Sequence, residues 1–222
     1  MNKALPYKSF FLLALLAVTG LQGWAQKKVA ELTIVYDYVI LSSGDQPKPG
    51  RNPEATTNTI YIKGNMSRSE MTSPQYSSTT IFNANNNTGV ILKEVSGQKL
   101  LIRLSADNWQ QINKPFEGIV FTNTTETKMI AGYKCIRAVA RTREGFTYSV
   151  YYTTEIIPEN KNYNPRFKNL EGMPLEYEYN NGSLTIKYTV SGINLNPVPA
   201  SKFDIPKSGY REMSYEESKN MK

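Results

Sequence analysis

The chain has 222 residues, contains no histidine and a single cysteine, and carries 26 basic against 19 acidic side chains. The lack of histidine excludes imidazole-based nucleophile activation and histidine metal sites, and one cysteine forms neither an internal disulfide nor a thiolate metal site. The lysines and arginines are scattered singly, so no nucleic acid is predicted as a partner.

The first 25 residues have the pattern of a cleavable secretory signal peptide. Two lysines precede an apolar run at 10–18, and the small residues of a cleavage site follow at 23–25. The apolar run is shorter than the roughly 20 residues of a membrane span. We therefore predict cleavage after Ala25 and a periplasmic or secreted protein. Loss of the two lysines lowers its formal net charge from +7 to +5, which is compatible with peripheral membrane contact.

After the leader, the sequence predicts short strands joined by tight turns. Residues 30–41 alternate in polarity, which predicts a long first strand with Tyr36 and Tyr38 on the same face. Three prolines and two glycines predict a loop at 42–57. A Gly-Asn pair, an asparagine cluster and a Ser-Gly pair then separate further strands. These strands are predicted at 59–63, 66–72, 76–82, 89–95 and 98–104.

A short helix and the most regular strands follow. Residues 105–114 predict a turn or two of helix, which is capped by Ser105 and ends before Pro115. An Asn- and Pro-rich stretch predicts a loop at 159–167. Alternating residues predict the remaining strands, at 118–129, twice within 132–158, and in a hairpin formed by 174–179 and 183–190.

Consecutive strands with short turns predict antiparallel neighbours. We predict a mainly β fold with little helix, whose about 10–11 strands form a single, strongly curved antiparallel sheet or an unclosed β-barrel. A full barrel and a sandwich remain alternatives. The predicted domain covers 26–206, and 207–222 forms a charged C-terminal tail, in which 214–222 is either a frayed helix or disordered.

Three stretches resemble a known group of exported proteins. They are Gly-Tyr-Lys-Cys-Ile-Arg-Ala at 132–138, Tyr-Tyr-Thr-Thr-Glu-Ile-Ile-Pro at 151–158 and Leu-Glu-Gly-Met-Pro-Leu at 170–175. Together they resemble exported Bacteroidota families of unknown function related to the GLPGLI group, which are in turn similar to the LolA/LolB/LppX superfamily. The resemblance implies an unclosed antiparallel barrel with an apolar cavity for acyl chains, and it transfers no catalytic residue.

Catalytic patterns are few. Ser96-Gly-Gln-Lys99 matches the Ser-x-x-Lys form of penicillin-recognising enzymes, but it lies between two predicted strands and lacks that family's further motifs. Glu176 and Glu178 alternate with apolar residues, so we interpret them as the solvent side of a strand, able to pair with Lys187 on the next strand. No enzyme activity, cofactor or metal is predicted. An enzyme would require a carboxylate pair with raised pKa values in a cleft.

Aromatic residues give the best candidate site. A tyrosine-rich concave face suits amphipathic or acyl ligands, because the ring is apolar while its hydroxyl finds a polar partner. We predict a monomeric carrier of a hydrophobic ligand, such as a lipid or a lipoprotein acyl chain. The residues predicted to line its face are Tyr36, Tyr38, Phe121, Tyr148, Tyr152, Tyr177 and Tyr188.

The competing hypothesis is a structural module of the cell envelope. It has a filled core and binds an envelope protein through the loops at 42–57 and 159–167, where binding residues tend to gather. Cys135 lies in mid-strand and is interpreted as a small buried hydrophobe, with intermolecular pairing or reactivity as alternatives.

Overall fold

The computed structural model describes residues 26–42, 57–73, 76–95, 97–181 and 184–220. The predicted signal peptide, most of the predicted loop at 42–57, Ser96 and the tip of the last hairpin lie outside these residues. Where the chain is described, 12 strands form one sheet and two short strands form a separate parallel pair. None of the described helices is both long and apolar enough to cross a membrane.

The strands are β1 Lys27–Val29, β2 Glu31–Ser42, β3 Thr57–Lys63, β4 Met66–Ser73, β5 Tyr76–Asn83, β6 Thr88–Val95, β7 Gln98–Leu104, β8 Val120–Ile130, β9 Tyr133–Arg141, β10 Thr147–Thr153, β11 Ile156–Pro158, β12 Met173–Asn181, β13 Leu184–Asn194 and β14 Arg211–Met213. The helices are α1 Ala106–Asn113 and α2 Tyr215–Lys219. Short 3-10 turns occur at Lys114–Phe116, Lys161–Tyr163, Pro165–Phe167 and Ala200–Phe203.

The order across the large sheet is β14-β7-β6-β5-β4-β3-β2-β13-β12-β10-β9-β8. All neighbours are antiparallel except β14 and β7, which run parallel. The prediction of a mainly β fold with one large antiparallel sheet is confirmed, and the sheet has 12 strands where about 10–11 were expected. Helix α1 is capped by Ser105 and ends before Pro115, as predicted.

The connection between β7 and β8 shows how strongly the sheet is curved. These strands are ten positions apart in the sheet, which is about 48 Å in a flat sheet at about 4.8 Å per strand. Residues 105–119 join them, and the eight-residue helix α1 in this connection advances only about 12 Å. The other seven residues add at most about 24 Å when fully extended, so the connection reaches less than the flat-sheet distance and the sheet must be curved.

Within the predicted tail at 207–222, the described residues form a short edge strand and a short helix. Arg211 to Met213 pair in register with Leu100 to Ile102 and form the edge strand β14. Ser214 then caps α2 through a capping box with Glu217. Met213 and Tyr215 pack with the apolar residues of β7, so burial of these two side chains stabilises the segment on the sheet.

The hydrophobic core lies mainly on the inner, concave face. Its largest cluster gathers side chains from β2, β3, β9, β10, β12 and β13. A smaller cluster, formed by Leu100, Ile102, Leu104 and Met213, packs beneath Trp109 and Ile112 of the α1 helix. The chain between β11 and β12, residues 159–172, covers the larger cluster, and we call this segment the strap.

The strap ends in the stretch that resembles the exported families, and the motif glycine there has a packing role. Gly172 is buried against Thr153. A Cβ atom at position 172 would lie 2.7 Å from the carbonyl carbon of Thr153 and closer still to its oxygen. Only glycine permits this close approach of two backbones, so the motif fixes where the strap joins β12.

Candidate functional site

The predicted aromatic residues do share the inner face of the sheet. Strand pairing places Tyr188 opposite both Tyr38 and Tyr177, so three tyrosines lie in one row across β2, β13 and β12. The rings of Tyr177 and Tyr188 stack with centroids 4.8 Å apart. Tyr38 lies 5.6 Å from Tyr188, and Tyr36 meets Tyr177 edge-on at 5.7 Å. We call Tyr36, Tyr38, Tyr177 and Tyr188 the tyrosine ladder.

The strap fills the concavity in front of the ladder. Phe167 is 2% exposed, and its ring lies 4.8 Å from that of Tyr177 and 6.5 Å from that of Phe121. Tyr163 and Leu170 of the strap are buried in the same cluster. The strap therefore packs on the ladder at Tyr177, and Tyr36, Tyr177 and Tyr188 are buried while Tyr38 remains half-buried.

The hydroxyl groups of the predicted residues differ in what they contact. Tyr36 donates a 2.8 Å hydrogen bond to the carbonyl of Pro174. Tyr152 is buried and its hydroxyl lies 3.0 Å from Asn123 Oδ1 and 3.4 Å from Glu171 Oε2. These two tyrosines tie strands and strap together, so their polar ends are already occupied.

Tyr148 differs from Tyr36 and Tyr152. Its ring is half-buried, while its hydroxyl is buried and has no hydrogen-bond partner within the described part of the chain. Burial raises the pKa of Tyr148 to about 12, although the nearby Arg166 guanidinium acts to lower it. The hydroxyl therefore keeps its proton near neutral pH and is available as a donor.

Arg166 lies at the centre of an aromatic cluster that the sequence did not reveal. Its guanidinium carbon is 4.8 Å from the ring centroid of Phe116 and 4.3 Å from that of Tyr179. The rings of Tyr148 and Tyr177 are each 6.0 Å away. Arg166 belongs to the strap, whose irregular backbone has no side-chain periodicity. Only its place beside Pro165 and Phe167 could have drawn attention to it.

A cleft opens between α1 and the strap. Its volume is about 520 Å³. Trp109 lines it from α1 and stacks on Phe82 of the sheet with ring centroids 4.0 Å apart. Phe116 and Pro165 line it from the two sides, so the cleft borders the ring cluster around Arg166. The cleft residues are Asn87, Ala106, Asp107, Trp109, Gln110, Asn113, Phe116, Glu117, Gly118, Arg143, Asn162, Pro165, Lys168 and Asn169.

The outer face carries the carboxylates that the sequence raised as candidates. Glu176 is only 12% exposed in its side chain, which is more covered than expected for a solvent-facing residue. Its carboxylate lies between Lys128 at 2.7 Å and Lys187 at 3.1 Å. The predicted pairing with Lys187 is confirmed. A carboxylate held between two ammonium groups is arranged as a structural ion pair rather than as a general acid.

Nearby, Tyr151 donates a short hydrogen bond to Glu126. This bond lowers the pKa of Glu126 and raises the pKa of Tyr151 to about 12. Neither shift gives a carboxyl group that is protonated near neutral pH, which an acid catalyst would need. We assign this pair, too, to the structure of the outer face.

The remaining candidates from the sequence are the Ser96–Lys99 pattern, Cys135 and a metal site. Lys99 lies on the β6–β7 hairpin and is 3.7 Å from Glu94, while Ser96 lies outside the described residues. Cys135 is buried, as predicted, and burial raises the pKa of its thiol to about 11, so it is a poor nucleophile. The described residues contain no cluster of three or more residues suited to hold a metal ion.

No protein-family model and no curated protein matches the chain. Among solved structures, PNGF-II matches with a TM-score of 0.53 and 15% identity over 87% of this chain. The chain spans only 33% of that structure. MucB matches with a TM-score of 0.42 and 9% identity, over 82% of this chain and 59% of that one. A LolA superfamily protein, NE2245 from Nitrosomonas europaea, has a TM-score of 0.34 and 10% identity, over 81% and 92%. The first likeness is one of fold alone, and the two lower scores are too weak to add to it.

Proposed function

We propose that this chain is an exported, non-enzymatic binding protein of LolA-like type. It acts as a monomer in the periplasm or outside the cell and carries a hydrophobic ligand, a lipid or acyl chain, against the tyrosine ladder. One observation carries the proposal: the strap, a segment outside the sheet, packs its apolar side chains in the same cluster as the ladder and borders a cleft of about 520 Å³. The ligand enters through this cleft and replaces the strap side chains on the ladder.

The energies of burial are compatible with such an exchange. Lifting Tyr163, Phe167 and Leu170 off the ladder exposes three large apolar side chains, at about 1.5–3 kcal/mol each. An acyl chain gains about 0.8 kcal/mol for each buried methylene. A chain of about 12 carbons therefore gains about 10 kcal/mol, which offsets roughly 5–9 kcal/mol for the strap. A ligand with only a few methylenes would leave the strap in place.

The competing function is a filled module that binds an envelope protein. The specific observation in its favour is the packing of Phe167 on Tyr177, because it shows a concavity already filled by the protein itself. Its partner surface would be the exposed side of the strap together with the predicted loop at 42–57, most of which lies outside the described residues. This function requires the strap to stay closed.

Native mass spectrometry of the protein purified from its own host separates the two functions. We expect a stoichiometric lipid or fatty acid that is released by organic extraction. Trp109 is the only tryptophan after the predicted leader and it lines the cleft, so its fluorescence should change when the stripped protein takes up a long-chain fatty acid. An unliganded mass together with no fluorescence change would rule out the carrier and leave the filled module.

A further inference from the structure

We propose that the ligand has an anionic head group, a carboxylate or a phosphate, which binds Arg166 and the hydroxyl of Tyr148. This inference rests on the proposed carrier function and specifies the chemical class of its ligand. Arg166 is 4.8 Å from the ring of Phe116, which lines the cleft, and 6.0 Å from the ring of Tyr148. The tail of such an amphiphile would lie on the ladder, while the head group stays at the cleft.

The first observation in support of an anionic head group is the environment of Arg166. A guanidinium has five N–H donors, yet within the described residues the Arg166 side chain has neither an ion pair nor a hydrogen bond. It lies among the rings of Phe116, Tyr148, Tyr177 and Tyr179 instead. Ring faces attract a cation and orient its plane, but they leave the N–H groups at the edge without strong acceptors. A planar cation held in this way is suited to a bidentate contact with a carboxylate or a phosphate.

Tyr148 supplies a second donor beside the first. Its hydroxyl is buried and lacks a partner among the described residues, which is uncommon because an unpaired buried polar group costs about 1–3 kcal/mol. The Tyr148 ring is 6.0 Å from the guanidinium carbon of Arg166. One oxygen-rich anion at this point would satisfy both the hydroxyl and the guanidinium.

The charges that line the cleft differ from Arg166 in their surroundings. Arg143 forms a 3.8 Å ion pair with Glu117 in which both side chains are largely exposed. Asp107 and Lys168 also line the cleft, and Lys168 is exposed to solvent. Arg166 lies beside the cleft rather than in its lining, and it is held against aromatic rings with no carboxylate in an ion pair with it among the described residues.

The test uses three ligands with the same ten-carbon tail: decanoate, decyl phosphate and 1-decanol. Binding to the full protein is measured by calorimetry and by Trp109 fluorescence, with acetate and inorganic phosphate as head groups without a tail. We expect the anionic amphiphiles to bind at least about tenfold more tightly than the alcohol, which is the effect of a charge-assisted contact. The ratio of decanoate to decyl phosphate identifies which anion is preferred.

Variants assign the preference to residues. Arg166→Gln should bring the affinity for decanoate down to that for 1-decanol, while Arg166→Lys retains most of the preference. Tyr148→Phe should weaken the binding of the two anionic ligands by about threefold and leave the affinity for 1-decanol unchanged. Arg143→Gln is the matched control because it also removes one positive charge, from the lining of the cleft. In this variant, the preference for anionic ligands over 1-decanol should persist.

The results of these experiments distinguish the anionic head group from the carrier function on which it rests. Equal binding of decanoate and 1-decanol to the unmodified protein would overturn the anionic head group and leave the carrier function intact. Failure of all three ligands, and of the same three head groups on a 16-carbon tail, to bind would overturn the carrier function and this inference with it. If Arg166→Gln does not fold, the comparison of ligands on the unmodified protein still tests whether an anionic head group is preferred.

Discussion

Two tyrosine hydroxyls on the inner face differ in whether they have a partner. Tyr36 donates to the Pro174 carbonyl, whereas Tyr148 has no partner among the described residues. Tyr36→Phe should therefore lower the free energy of unfolding by about 1–2 kcal/mol, because it leaves a buried carbonyl without that donor. Tyr148→Phe should be neutral or slightly stabilising. Urea unfolding of both variants measures the difference, and equal losses would show that Tyr148 does have a hydrogen-bond partner.

Substitution of Gly172 tests how closely the backbone of the strap must approach Thr153. Because a Cβ there meets the backbone of Thr153, Gly172→Ala should destabilise the protein by about 3 kcal/mol or more, in the range of severe overpacking. Gly192 is the control, since the nearest atom to an added Cβ lies 4.0 Å away. Thermal unfolding should show a large fall in Tm for Gly172→Ala alone. Similar values for the two alanine variants would mean that the strap accommodates a side chain at 172.

Residue patterns predicted the elements well but not the contacts between them. The alternation in β2, β12 and β13 placed the tyrosines on one face, because a period of two leaves no other choice. The Ser105 cap and the buried Cys135 also followed from local sequence. Nothing local indicated that the loop after β11 folds back over the ladder. That outcome depends on the burial of Phe167 against strands far away in sequence.

One of the side-chain hydrogen bonds that hold the strap is made by Asn169. Asn169 donates a 2.9 Å hydrogen bond to the carbonyl of Ile119, which joins the strap to the segment before β8. Asn169→Ala should loosen the strap, so the amides of 159–170 should exchange hydrogen several-fold faster. Asn162→Ala, in the same strap and the same cleft, is the matched control. Equal exchange in the two variants would mean that apolar packing alone holds the strap.

Helix α1 depends on its cap because it is short. Ser105 and Asn108 form a reciprocal capping box, and an isolated eight-residue helix is unstable in water. Ser105→Ala should cost about 1 kcal/mol and shift the fluorescence of Trp109, whose stacking on Phe82 depends on the helix. The same change at Ser214 removes the cap of α2 and should leave that fluorescence unchanged. A fluorescence shift in both variants would show that the C-terminal segment also stabilises α1.

At acid pH, the stability of the whole protein should depend on carboxyl groups whose pKa values are lowered in the folded state. On the acid side, Tyr151 and then Arg137 hold the pKa of Glu126 below its ordinary value of 4.5, and Lys63 does the same for Glu31. A carboxyl whose pKa is lowered in the folded state stabilises above its unfolded pKa and loses this effect as pH falls through the folded value. We expect urea midpoints to be flat from about pH 5 to 9, since the chain lacks histidine, and to decline below about pH 4.5. A marked slope between pH 5 and 8 would contradict this.

The alkaline response has a different origin, which is the burial of the tyrosine ladder beneath the strap. Burial raises the pKa values of Tyr36, Tyr163 and Tyr177 above the ordinary 10.0, and that of Cys135 to about 11. A raised pKa in the folded state stabilises fully below the unfolded pKa and loses this effect as pH rises toward the folded one. Stability should therefore fall from about pH 9 upward, and the buried tyrosines should ionise only when the sheet opens. Absorbance of tyrosinate and circular dichroism, followed together from pH 9 to 12, should change in one transition for these residues. Ionisation of all tyrosines near pH 10 with the circular dichroism intact would show that water reaches the ladder in the folded protein.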